Sequence, residues 1–266
     1  MELLAALVTG VCGDHDRDTW SVNVDPQVVA VKAAQGVLPV ERRLLGEEFV
    51  GSPAPTSTPG INTTRRLALA GGEVVFHKSF SGVHVANAIA FGQTDETPPL
   101  HEAVAWRLAV ALGEPWQALL SPCVLRDYEG EDGSLSLQAS GWPRDRAPLL
   151  NPTWCLPAAF FDSLIAQQDR HDGNWRWDGE RLTLIDHGYA FALPRAVLNY
   201  SDFVEARHAH GAAALLENER DVLARLLGDP DLLGIAHFLV PERARAVSDR
   251  AERMLARGEV LPAGDF

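Results

Sequence analysis

Alternation of apolar and polar residues around Gly71-Gly72 predicts a β-hairpin, with strands over 66–70 and 73–78. The period of two puts Val74, Phe76 and Lys78 on one face, expected to be the inward, apolar one, which carries Lys78 toward the interior. From Thr97 the period becomes helical: Thr97 is a cap, Pro98 and Pro99 occupy the first turn, and Gly113 is the stop. Val104, Leu108, Ala111 and Leu112 are its expected buried stripe. Two more strands are expected over 119–126 and 135–139, separated by an acidic turn over 127–133. A second amphipathic helix is predicted from about 157 to 168, with Phe160, Phe161, Leu164 and Ile165 inward and Asp162, Ser163 and Gln167 on the other side. Asp178-Gly179 signals a two-residue hairpin between strands over 175–177 and 181–185. Beyond Phe191, the stretches 202–227 and 241–257 are helical in pattern. The first 60 residues are the least patterned: 28–31 and 37–45 suit strands or a short helix, and 51–60 reads as a Pro/Gly/Ser/Thr-rich connector.

Composition narrows the class without changing this picture. At 266 residues and 46% hydrophobic content, the chain suits one large or two small domains with buried cores. A formal net charge of -13 argues against nonspecific nucleic-acid or anionic-membrane binding, because both reward excess Lys and Arg. Cys12, Cys123 and Cys155 are odd in number and lack metal-ligand spacing, which fits a reducing compartment. The start carries Glu2, a short apolar run and no basic region, so no secretory signal is expected. No run is long enough to span a bilayer, and a cytoplasmic location is the expectation.

The candidate chemistry is concentrated between Phe160 and Phe191, where Asp169, His171, Asn174 and Asp186 are polar groups in apolar surroundings. The predicted hairpin delivers Asp186 to the same end as the loop over 169–174. An aspartate, an asparagine five residues on and a later aspartate supply what phosphoryl transfer needs: a group for the attacking hydroxyl and oxygen ligands for a hard cation. Lys78 and Glu102 add a lysine on a strand and a carboxylate on a helix, a pairing that aims the ammonium at nucleotide phosphates. Asn62, Thr63 and Thr64 offer small polar groups and backbone N–H groups that can cradle phosphates. Gln138 and Ser140 lie where a hinge between lobes is expected, with backbone groups for a base edge.

In order and spacing these parts resemble the phosphatidylinositol 3-/4-kinase-like branch of the protein-kinase-like superfamily, whose catalytic loop is D-R-H-x-x-N and whose metal motif is I-D-F-G or a variant. The chain is most similar to small bacterial, especially actinobacterial, members, through Asn62 to Leu67 (N-T-T-R-R-L) and the A-W-R-L helix opened by Glu102. The resemblance spans roughly residues 58–195. It implies an α+β, bilobal protein-kinase-like fold: a small antiparallel β-rich N-lobe with one helix over 58–141, a mainly helical C-lobe over 142–266, and an N-terminal extension over 1–57.

The same resemblance implies ATP and Mg2+ as cofactors and a γ-phosphoryl transfer to a hydroxyl acceptor. Lys78 is then expected on the nucleotide phosphates, braced by Glu102. Asp169 acts on the acceptor, with His171 beside the transferred group, and Asn174 and Asp186 hold magnesium. His187 stands where the family usually has Phe, and no lipid-kinase activation segment follows Phe191. The acceptor and the oligomeric state stay open. Two other readings stand beside this one: a catalytically weak, pseudokinase-like nucleotide-binding protein, and a metal-dependent phosphohydrolase using His171, Asp172, His101 and Asp186.

Overall fold

The computed structural model describes residues 25–55, 63–84, 86, 89, 91, 93, 98–194, 199–228 and 235–266. Its first lobe is a five-stranded antiparallel sheet in the order β1-β2-β3-β5-β4. The strands are β1 (Phe49–Pro55), β2 (Thr64–Leu69), β3 (Val74–Ser79), β4 (Cys123–Tyr128) and β5 (Glu131–Leu137). In the β2–β3 hairpin Thr64 pairs with Lys78 and Arg66 with Phe76, and Gly72 takes the positive φ the turn requires. The β4–β5 connection is tighter than the expected acidic turn. Tyr128 pairs with Glu131, leaving only Glu129 and Gly130, both at positive φ, which matches the twist of the strands.

The sheet corrects the expected direction of Lys78. Buried positions on β3 are Val75, His77 and Ser79, and Val75 joins Leu67, Leu69, Val124, Leu135 and Leu44 in a small core behind the sheet. Val74, Phe76 and Lys78 are on the opposite face. The reason lies in the first described residues, which cover the back of the sheet. Helices α1 (Pro26–Ala34) and α2 (Pro39–Gly46) occupy the two ambiguous stretches, and half of the expected connector is strand β1. The Gln35 amide donates to Leu125 O and accepts from Leu125 N at 2.8 and 2.9 Å. Arg126 donates to the carbonyls of Leu44 and Glu47. Buried Glu41 accepts from Trp106 Nε1 at 2.9 Å and from Arg107 Nη1. The segment is thereby fastened to both the sheet and the next helix.

That helix, α3 (Pro98–Leu112), ends as expected before Gly113 at positive φ; Thr97 lies outside the described residues. Instead of a stripe, α3 is buried on nearly every side, with His101 and Glu102 included. The second lobe is built on α4 (Pro152–Ile165), capped by Asn151, whose Oδ1 accepts from Thr153 N at 3.0 Å. It starts five residues before the predicted helix and stops three residues short of its predicted end. Beside it pack α5 (Asp202–Ala209) and α7 (Pro241–Arg257), and α6 (Glu217–Gly228) packs on α7. The stretch 202–227 is thus two helices, broken near Gly211 at positive φ. A buried two-pronged pair, Arg207 to Glu219 at 2.7 and 2.8 Å, joins α5 to α6.

Strands β6 (Trp175–Trp177) and β7 (Leu182–Leu184) form the second hairpin. Trp177 pairs with Leu182, so its loop has four residues rather than two. The Asp178 carboxylate closes it by accepting from the N–H groups of Glu180 and Arg181. Phe160, Phe161, Leu164, Trp116, Phe203, Phe191 and Met254 fill the main core. Cys123 and Cys155 are free and buried, and burial pushes their thiols up to about 12 and about 11. Among the described residues, no helix is long and apolar enough to cross a membrane.

Candidate active site

The two lobes meet at one ammonium group. Lys78 Nζ, from β3, donates to Glu102 Oε1 at 2.6 Å and to Asp186 Oδ1 at 2.8 Å. The remaining Glu102 oxygen accepts the backbone N–H of His187 at 2.9 Å, so one carboxylate on α3 fixes both the lysine and the loop that carries Asp186. Asp186 sits at φ 61°, a left-handed conformation that costs a non-glycine residue about 1–3 kcal/mol and persists only where its surroundings impose it. Here the imposing contacts are Gln167 Nε2, which donates to Asp186 O at 3.0 Å, and the Lys78 ammonium. Burial alone would lower the lysine's proton affinity, but the charges of Asp186 and Glu102 outweigh it and hold Lys78 well above its ordinary value. Burial and the Asp186 charge push Glu102 up, against the pull of Lys78. For Asp186 the balance reverses: burial raises it, and Lys78 more than offsets this, so it stays ionised.

The loop after α4 carries the second group of residues. Asn174 Nδ2 donates to Asp169 O at 2.7 Å and to Asp169 Oδ2 at 3.4 Å. Because the amide nitrogen is used in this way, the amide oxygen is the group left for a cation. Burial, together with the nearby Asp186 charge, raises the proton affinity of Asp169 above that of an ordinary carboxylate, while His171 opposes the shift. His171 is half exposed, with Nε2 3.9 Å from Asp169 Oδ1. Its Nδ1 accepts from Gly173 N at 2.9 Å, which in the neutral ring leaves the proton on Nε2, facing Asp169.

What fixes this loop was hidden in the sequence. Arg170 and Asp162 are both fully buried and paired at 3.1 Å, and Ser201 Oγ donates to Asp162 Oδ2 at 2.8 Å. Arg170 Nη1 also donates to the carbonyls of Asn174 and Ile185, so one guanidinium ties the loop to the strand that leads into Asp186. The residues expected on the side away from the apolar stripe, Asp162, Ser163 and Gln167, are all buried. They face inward because they serve the loops. The only local signal was an acid and a base eight residues apart at a helix end.

A cleft of about 610 Å³ opens between the lobes. Lys78, Glu102, Asp186 and His187 line it, with Thr64, Phe76, Leu137, Gln138 and Gly141 on the upper wall and Arg176, Leu184 and Ile185 below. Gln138 N donates to Val74 O at 2.8 Å, so that backbone group belongs to the sheet and is not free for a base. Gly141, at φ 101°, lets the connecting segment lie against β6, where a Cβ would come within 2.3 Å of the Trp177 carbonyl carbon. Thr63 and Ser140 are exposed and line no part of the cleft, and Asn62 lies outside the described residues. His101 is buried against Gly188 O and the edge of Phe191. Among the described residues, no three His, Cys, Asp or Glu side chains converge as metal ligands, so the set proposed for a phosphohydrolase does not assemble.

The sequence matches no family model and no curated relative. The fold does match solved structures. A Golgi casein kinase with Mn and ADP bound superposes at TM-score 0.55 and 11% identity, over 82% of this chain and 74% of that one. A second Golgi casein kinase structure gives TM-score 0.52 and 13% identity, over 84% and 76%. The chain has a protein-kinase-like fold. The bilobal α+β architecture expected from the sequence is therefore the observed one.

In this kinase-like fold His187 occupies the position after the aspartate, and it carries a pH signature. Its ring is buried edge-on to Phe161, Nε2 has no protein partner among the described residues, and burial followed by the Arg170 and Lys78 charges holds it well below the ordinary histidine value. The unfolded chain takes up a proton near pH 6.5 that the folded chain refuses, so this stability is present above that pH and lost as pH falls. His187→Phe is expected to flatten the acid side of the melting profile between pH 7 and 5, removing a slope of up to about 1.4 kcal/mol per pH unit. Identical acid slopes for the variant and the wild type would mean that His187 does not stay neutral in the fold.

Proposed function

We propose that this protein is an ATP- and Mg2+-dependent phosphotransferase of the phosphatidylinositol 3-/4-kinase-like type, moving a γ-phosphoryl group to a hydroxyl. The observation that carries the proposal is the Lys78 ammonium held at 2.6 and 2.8 Å by carboxylates from two separate elements, Glu102 on α3 and Asp186 after β7. A lysine serving only solubility or packing does not need two acids brought from 24 and 108 residues away. We assign residues 58–141 and 142–266 to the two lobes, with 1–57 as an extension whose described part packs on the first.

The donor set fits a hard cation: Asp186 keeps one carboxylate oxygen beyond Lys78, Asn174 offers its amide oxygen, and phosphate oxygens and water complete a magnesium shell. When bound, the ion supplies charge neutralisation between the nucleotide phosphates. Lys78 orients those phosphates from the upper wall. Asp169, whose proton affinity is raised, takes up or directs the proton of the attacking hydroxyl, and His171 donates from Nε2 beside it. Arg170 and Gln167 keep the loop and Asp186 in register. Changing Asp169 to Asn is expected to lower transfer by about 10²-fold while nucleotide affinity is kept, because the residue faces the acceptor. Turnover and nucleotide binding of both proteins, measured with ATP, magnesium and a cell extract as acceptor source, test this. Wild-type protein that binds nucleotide and transfers nothing would favour the pseudokinase-like alternative.

A further inference from the structure

Three cationic side chains line the cleft: Lys78, Arg66 and Arg176. Lys78 is matched twice over by Glu102 and Asp186. Among the described residues, neither arginine has a carboxylate partner, which is notable in a chain of net charge -13. Of the two, Arg176 is the one whose guanidinium is fixed in place. Its neighbour Trp175 is buried against Phe203, so the period of two along β6 turns Arg176 to the opposite side, into the cleft. Its Nη1 donates to Gly173 O at 2.9 Å and to Trp175 O at 2.8 Å. These are the carbonyls on either side of Asn174, so the planar head lies beside the proposed cation ligand and within the field of Asp186. Nε and Nη2 have no protein acceptor among the described residues.

A half-buried guanidinium whose Nε and Nη2 lack protein acceptors among the described residues gains from a ligand that fills them. A rigid guanidinium with free N–H groups suits phosphate oxygens better than any other common anion in a nucleotide cleft. We propose that Arg176 is a phosphate-binding residue of this cleft, gripping the ligand's phosphate chain from the lower wall beside Asn174. The proposal rests on the phosphotransferase reading for the identity of the ligand. The arginine shares the phosphate charge with Lys78 and the cation, and it does so from a position fixed before the ligand arrives.

The test is a charge series measured by calorimetry on the full chain with magnesium present: adenosine, ADP and inorganic tripolyphosphate, against wild type, Arg176→Met and Arg176→Lys. Expected is a loss of about 10- to 100-fold for ADP and tripolyphosphate in Arg176→Met, as for one or two hydrogen bonds to a charged group. Adenosine binding should be unchanged, and Arg176→Lys should recover part of the loss. An equal loss for adenosine would mean that Arg176 only shapes the loop through its carbonyl contacts, and would overturn the proposal. So would Arg176→Met matching wild type on all three ligands, or wild type binding neither phosphate ligand. Wild-type protein that binds ADP through Arg176 but never turns over ATP would sink the transfer reaction and leave the arginine's role standing. An unchanged melting temperature for ligand-free Arg176→Met separates lost contacts from lost folding.

Discussion

Replacing Asp186 with alanine is expected to lower phosphoryl transfer by about 10³-fold or more, the largest effect on activity of any change considered. Removing one preorganised group aimed at developing charge typically costs 10²- to 10³-fold, and Asp186 serves twice. In the proposed mechanism it offers a ligand oxygen to the cation, and its other oxygen holds Lys78 at 2.8 Å. Without it the lysine keeps only Glu102, whose carboxylate is then freed of the Asp186 repulsion that pushes it up. The fold should survive, because the backbone carbonyl of residue 186 can still accept from Gln167, although an alanine at φ 61° keeps the left-handed strain without the Lys78 contact that helped impose it. Magnesium should therefore stop improving nucleotide affinity in the variant, while circular dichroism stays near wild type and stability falls by no more than about 1–3 kcal/mol. Transfer persisting within tenfold of wild type would remove Asp186 from the proposed mechanism.

The largest effect on stability is expected at Arg170. Changing it to methionine leaves Asp162 buried without its cation and strips donors from the carbonyls of Asn174 and Ile185. Breaking one side of a buried pair costs about 3–5 kcal/mol, because the abandoned charge cannot reach water. Replacing both partners, as Asp162→Leu with Arg170→Met, should recover a good part of that loss, since the uncompensated charge is gone. Urea unfolding of the single and double variants reads this directly. A single-variant loss under about 1 kcal/mol would show that the pair is replaceable by water, and that the loop over 169–174 is held by something else.

The contrast between these residues explains what the sequence could and could not reveal. That Asp169, Asn174, Asp186 and Lys78 lie near one another was legible because short loops and hairpins fix their spacing. The β2–β3 turn, α3 and α7 were legible because each has its own punctuation in glycine or proline. Asp162 and Gln167 are set on the side away from the apolar stripe but are buried there, since a helical period registers polarity but cannot tell water from a buried loop that needs donors and acceptors. The direction of Lys78 was misjudged for a related reason. Val75 and His77 face a core completed by α2 and β1, elements with weak patterns of their own, so the alternation on β3 was clear while its sign was not. The short β4–β5 turn was obscured by acidic residues on both sides, which resemble a loop although Asp127 and Asp132 pair as strand neighbours.

Glu41 gives the fold one further property. It is fully buried and accepts from Trp106 and Arg107 of α3, four and five residues beyond Glu102 on the same helix. Swinging that helix away from the cleft would take Trp106 and Arg107 from this carboxylate and leave it only the backbone N–H groups of Gly36 and Leu38, at a cost of about 3 kcal/mol. A penalty of that size keeps the disengaged arrangement below about 1% of molecules. The resting population therefore already has Lys78 and Glu102 joined, held so by a contact on the far side of the helix from the cleft.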